Sequence, residues 1–184
     1  MEEATSLLLS QSLNLNEAIK AELNKEKKSM KAITLWQPWG TLWAAGIKEV
    51  ETRSWSATSR LQLPIRILIH AASRAIMQEE VNKIYSDLLP EFCLSLSIPS
   101  LSTGCILGAV TLTKCEYMTP SLIANTSSQE KALGLWQVGR WAWYGTDFIL
   151  LEKPVKSRGK QGFWTPELEV LSLVEQQLEV KHVA

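Results

Sequence analysis

Residues 36–55 read WQPWGTLWAAGIKEVETRSW, and how this stretch folds decides how the rest of the chain is read. Pro38 suits a first helical turn and Gly46 a helix C-terminus, so together they bracket about two turns of helix. Trp39, Leu42 and Trp43 then fall at i, i+3 and i+4, one apolar stripe. After Gly46, KEVETRSW reads as a strand. Alternation in a strand sends Glu51 and Arg53 to one face and Val50 and Thr52 to the other. Same-face neighbours are roughly 7 Å apart, close enough to line one pocket, and Lys48 can reach over its rim. A carboxylate, a guanidinium and an amine suit a polar planar ligand: Glu accepts from an exocyclic amine such as cytosine N4, while Arg or Lys holds a carbonyl or phosphate. The same residues also suit a plain Glu51–Arg53 pair tying the strand to its neighbour. The residues alone leave both open.

Working outward, KAITL (31–35) alternates as a strand, and LQLPIRILIH (61–70) is another, with Pro64 marking an edge or bulge. SRAIMQEEVNKIYSDLL reads as a helix starting near Ser73 and covering 74–89. GCILGAVTLTKCEYM (104–118), rich in β-branched residues and glycine, reads as a bent strand. RWAWYGTDFILLEKPV (140–155) reads as a hairpin turning at Gly145-Thr146-Asp147. In TPELEVLSLVEQQLEV (165–180), Thr165 as N-cap and Pro166 at the first helical position announce a C-terminal helix. About six short strands with interspersed helices predict an α+β fold, a mixed β-barrel with flanking helices. A continuous parallel sheet is disfavoured because strands and helices do not alternate regularly. The domain is expected to begin at Met30 and run through residue 184. Residues 1–29, with Leu7, Leu8, Leu13, Leu15, Ile19 and Leu23 among polar residues, suit a helical extension. That extension is either a loosely docked tail or a helix that binds a protein partner.

A chain of 184 residues supports one domain that buries about two-thirds of its unfolded surface, so it needs neither disulfides nor metal to fold. Cys93, Cys105 and Cys115 are odd in number and lack CxxC spacing, and the only histidines are His70 and His182. No metal centre and no cofactor is expected from them, and His70, at the end of an apolar strand, is expected to be structural. No apolar run approaches the ~20 residues that cross a bilayer. The opening MEEATSLLLSQ is unlike a secretory signal, so a cytoplasmic protein without membrane partners is expected.

Net charge is zero, which argues against a uniformly electrostatic nucleic-acid binder, but the charge is unevenly spread. Residues 30–75 carry Lys31, Lys48, Arg53, Arg60, Arg66 and Arg74 against Glu49 and Glu51, a net of +4. Residues 152–164 carry Lys153, Lys156, Arg158 and Lys160 against Glu152, a net of +3. The stretches 76–100 and 165–184 are each −3. If the two basic segments share a face, the partner is a polyanion. KSRGKQG (156–162) offers phosphates both backbone and side chains, with Arg158 and Lys160 foremost. Most of the eight tryptophans read as core, with Trp39 and Trp164 the two expected to reach the cleft and stack on unpaired bases.

GIKEVETR has the form G-x-K-x-x-E-x-R, and LWQPWGTLWAAGIKEVETRSW closely resembles the strand–QPW–helix–signature run of the ASCH domain family. ILIHAASR, TGCILGAVTLTKC and PVKSRGKQGFW resemble its later segments, so the likeness covers about residues 31–165. The resemblance implies a PUA-like barrel that binds RNA or single-stranded nucleic acid, some members binding DNA. It places Gly46, Lys48, Glu51 and Arg53 at the family's cleft, with Gln37, Pro38 and Trp39 beside it. One bacterial branch is instead an amidohydrolase acting on N4-acetylcytidine, with Thr as nucleophile where this chain has Glu51 and a lysine as activating base. The expectation is therefore a nucleic-acid-binding module using Gln37, Trp39, Lys48, Glu51, Arg53, Arg158, Lys160 and Trp164. The alternative is a hydrolase acting on a modified nucleoside or RNA in the same cleft, with Lys48 and Glu51 as its catalytic groups.

Overall fold

The computed structural model describes residues 30–77, 79, 81, 82 and 101–182. Their strands are β1 (Lys31–Leu35), β2 (Val50–Arg53), β3 (Ile65–Ala71), β4 (Cys105–Tyr117), β5 (Trp141–Lys156) and β6 (Phe163–Trp164). The helices are α1 (Trp39–Ala44), α2 (Pro120–Asn125), α3 (Ser128–Leu133) and α4 (Leu168–His182). The strands form one mixed sheet in the order β2-β5-β4-β3-β1-β6. β1 and β3 run parallel, and the other pairings are antiparallel.

The sheet curls into a half-barrel. β2 and β6 stand at opposite ends of the strand order, yet Trp55, just past β2, meets Phe163 of β6 with ring centroids 5.2 Å apart. Phe163 also stacks on Trp143 of β5 at 5.3 Å. Alternation along the central strands buries both faces. Ile33, Leu35, Ile67 and Ile69 fill the concave side with Trp43 and Trp143. Ala32, Leu68, Ile106 and Ala109 face the other way, where Leu171, Val174 and Leu178 of α4 cover them. A third cluster, Val50, Met118 and Ala142, lies under Leu122 and Ile123 of α2. No described helix is long and apolar enough to cross a membrane.

Pro38 and Gly46 bracket α1 as expected. Gly46 has φ +72°, and a Cβ there would lie 3.0 Å from the Phe148 ring, so the position needs glycine both for its backbone and for space.

Several expectations are corrected. Gly145-Thr146-Asp147 does not turn a hairpin but bends one 16-residue strand, β5. Asp147 takes φ 50° and the β4–β5 register slips beside it, so the positive-φ residue serves a bulge. The C-terminal helix starts at Leu168, with Glu167 O accepting from Leu171 N, rather than at a Thr165 cap. Thr165 Oγ1 instead accepts from Lys31 Nζ at 2.8 Å. Ser73–Met77 are not helical, and helical backbone is found at Glu79, Val81 and Asn82. The rest of the 74–89 helix and the 1–29 extension lie outside the described residues. β3 begins only at Ile65, so Pro64 precedes the strand instead of interrupting it.

Candidate functional site

The face of the half-barrel between β1, β2 and the loop before β6 holds two adjoining cavities. The larger, about 840 Å³, is lined by Arg53, Arg60, Arg158 and Lys160 together with Trp36 and Trp55, and none of its described lining residues carries a carboxylate. The smaller, about 530 Å³, is lined by Lys48, Glu51, Arg53 and Arg140 among the apolar surfaces of Trp39, Leu133 and Leu135. Thr34, Trp36 and Arg53 line both. The two basic segments of the sequence therefore meet across one cleft.

The floor of the small lobe follows from the α1–β2 connection. Ile47 N and Lys48 N both donate to Leu42 O, folding the chain sharply after Gly46 and turning Lys48 inward. Its ammonium pairs with Glu51 Oε2, and Arg53 Nη1 lies 3.6 Å from Glu51 Oε1. Lys48 is only 2% exposed and Glu51 5%. Buried charges persist only when paired, and here one carboxylate faces two cations. Arg53 lies 5.9 Å from the Trp143 ring centre and 6.0 Å from that of Trp55, within cation–π range.

The wall of this lobe comes from the α3 region, which the sequence reading does not anticipate. It covers the free edge of β2. Glu130 accepts from Glu49 N at 2.7 Å and Val50 N at 3.3 Å, and Gln129 donates to Ile47 O at 2.9 Å. Leu135 N donates to Thr52 Oγ1 at 3.0 Å, and Arg140 to Thr52 O at 3.0 Å. These bonds satisfy edge groups that would otherwise template another strand, and they place Leu133, Leu135 and Arg140 against the cavity. Burial raises the Glu130 pKa, opposed by its bond from Glu49 and by the nearby Lys48 charge.

The basic loop is held from below. Thr34 Oγ1 donates to Lys160 O at 2.9 Å and accepts from Trp164 Nε1 at 3.1 Å. His70 Nε2 lies 3.0 Å from Ser157 O. A carbonyl only accepts, so Nε2 carries the proton and Nδ1 is the bare nitrogen, buried without a hydrogen-bond partner. The His70 ring is fully buried and meets Trp164 edge-on at 5.4 Å. Burial lowers its pKa, partly offset by the bond to Ser157.

This has a consequence for stability. A histidine whose folded pKa is depressed contributes fully above its unfolded value, 6.5, and the contribution is lost as pH falls from there through the folded pKa. Melting temperature should therefore decline below pH 6.5. In His70→Gln, whose amide can still donate to Ser157, that part of the decline should vanish. Identical melting profiles from pH 7.5 to 5 in the two proteins would remove His70 as its source.

Of the residues expected at the site, Trp39, Lys48, Glu51, Arg53, Arg158 and Lys160 line one lobe or the other. Gln37 and Trp164 line neither. Gln37 is 4% exposed, its amide spent on Thr41 and Ser102 O, and Trp164 is 7% exposed behind the loop. Trp36, Trp55, Arg60 and Arg140 were not singled out by sequence. Trp36 had a usable signal: the alternation that sends Ile33 and Leu35 to the core continues to put Trp36 on the opposite side.

A curled mixed sheet of this order, with a charged cleft beside a short helix and the edge strand after it, defines the class. The chain belongs to the ASCH domain family, whose model matches residues 33–155, and its curled six-stranded mixed sheet with flanking helices is the α+β architecture expected from the sequence. Among solved structures it is similar to the crystal structure of ASCH from Zymomonas mobilis, at 16% identity and TM-score 0.45 over 84% of this chain and 95% of that one. A serine-to-alanine mutant of the same protein gives 16% identity and TM-score 0.46 over 82% and 97%. A tyrosine-to-phenylalanine mutant gives 17% and 0.45 over 79% and 96%. No curated protein matches the chain in sequence.

Proposed function

We propose that this domain binds nucleic acid, RNA or another single strand, in the two-lobed cleft. The observation that carries the reading is the larger lobe, where Arg53, Arg60, Arg158 and Lys160 stand beside Trp36 and Trp55 with no carboxylate among the described lining residues. Cations that track phosphates interleaved with aromatic faces for bases are the combination single-strand binders use. Glu51 and Arg140 in the small lobe supply an acceptor and a donor for a base edge. Hydrolysis finds less support at these residues. The Lys48 ammonium is committed to Glu51, and the Thr52 hydroxyl, the only such group near Glu51 on β2, accepts from Leu135 N.

Arg158 and Lys160 are exposed, so reversing their charges should leave the fold intact. In Arg158→Glu/Lys160→Glu, binding of a labelled single-stranded oligonucleotide should weaken. The slope of log K against log salt should flatten by about 1.4, the share of two phosphate contacts on a single strand. Unchanged affinity and slope in a folded variant would sink the proposal.

A further inference from the structure

The two lobes meet at Thr34, Trp36 and Arg53, and Trp36 is the unusual member. It keeps 55% of its surface exposed, although the Arg74 guanidinium lies over the ring at 3.9 Å from its centre. An isolated exposed tryptophan on a surface would need no explanation. This one stands at the partition between a basic chamber and a chamber with apolar walls, with a cation already on its ring.

The lobes differ in what they can hold. The larger one offers positive charge without a compensating carboxylate among the described residues, which suits phosphate. The smaller, at about 530 Å³, has the apolar walls and few polar groups that enclose one planar ligand. Arg53 belongs to both lobes, with Glu51 Oε1 3.6 Å away on the small-lobe side. A cation there sits where a base and its phosphate part company.

Resting on the nucleic-acid reading above, we infer that the ligand is a splayed two-nucleotide step of a single strand. One base enters the small lobe, the linking phosphate lies on Arg53, and the neighbouring base stacks on Trp36. The two bases are read differently. Every base has a π-face, so the position on Trp36 is tolerant, whereas Glu51 and Arg140 select by the edge presented to them. Duplexes are disfavoured because a paired base must first be unstacked and unpaired before it can give its face to Trp36.

The test is a length series of 5′-phosphorylated mono-, di-, tri- and tetranucleotides, titrated at fixed salt into wild type, Trp36→Ala and Trp36→Phe. A dinucleotide lacking the base expected on Trp36 completes the set. Wild type should gain sharply from one nucleotide to two and little thereafter. Trp36→Ala should lose about 5- to 150-fold for the dinucleotide and only a small fraction of that for the mononucleotide, whose base meets no more than the edge of Trp36 in the small lobe. Trp36→Phe should keep most of the gain, and wild type should bind the abasic dinucleotide as Trp36→Ala binds the intact one. Equal gains per nucleotide in wild type and Trp36→Ala, with Arg158→Glu/Lys160→Glu still impaired, would overturn the splayed step and leave the basic cleft standing. No binding by folded wild type at any length would remove both.

Discussion

Lys48→Met should destabilise the protein by about 3–5 kcal/mol, the usual cost of removing one partner from a buried ion pair. For a chain of this size that is roughly 6–20 °C in melting temperature. Lys48 is 2% exposed, so Met replaces its stem with little change in packing and the loss falls on the charge. Glu51 would keep Arg53, but that guanidinium sits 3.6 Å away and is itself a quarter exposed, so it cannot replace the ammonium. Glu130, whose carboxylate feels the Lys48 charge, would lose its nearby cation too. Lys48→Met/Glu51→Leu should recover much of the loss, because two well-packed apolar groups remove the uncompensated charge. Thermal melts of both variants decide the matter. A single variant within a degree or two of wild type would mean that solvent screens the pair, and Lys48 would then be free to meet ligand directly.

The unequal legibility of the chain has physical causes. Elements set by local chemistry were readable: α1 lies between Pro38 and Gly46, and the alternation of β1 and β3 separates Ile33, Leu35, Ile67 and Ile69 from Ala32 and Leu68. The two basic segments were readable as segments, but their meeting on one face stood only as a condition, because charge clustering along a chain does not encode where distant segments fold. The bend in β5 was not readable. Gly145-Thr146-Asp147 has the chemistry of a tight turn, and the same positive φ at Asp147 serves a bulge once a partner strand runs alongside. What decides between them is contact with β4: a Cβ on Gly145 would lie 2.5 Å from Val110 Cγ2. No local pattern encodes that contact. Helices α2 and α3, six residues each, are too short to show a 3.6-residue period. Their traces were the caps, Thr119 before Pro120 and Ser127 three residues before Glu130. Of the tryptophans, Trp36 left a trace in the β1 alternation, whereas the burial of Trp164 depends on its bond to Thr34 across the sheet, which no local pattern encodes.

That loop is also where one methyl group should matter most for binding. A Cβ on Gly159 would lie 2.6 Å from His70 Nδ1 and 3.0 Å from Thr34 Oγ1. Neither neighbour can give way, because His70 is fully buried between Trp164 and Ser157, and Thr34 is bonded to both Trp164 and Lys160. In Gly159→Ala the loop must therefore lift, carrying Arg158 and Lys160 out of the cleft. Overpacking of this kind costs about 1–3 kcal/mol, which a domain of this size survives. Oligonucleotide affinity should fall by roughly ten- to a hundredfold, since a hydrogen bond to a charged group is worth about 1.5–3 kcal/mol. Stability alone would not produce that loss in a protein still folded at the assay temperature. His70→Ala/Gly159→Ala supplies the control, because removing the ring makes room for the methyl and lets the loop settle. The double variant should bind better than Gly159→Ala, giving a coupling of about 0.5–3 kcal/mol between the ring and the added methyl. Additive losses would mean that the loop is held by Thr34 alone, and His70 would then be only part of the core.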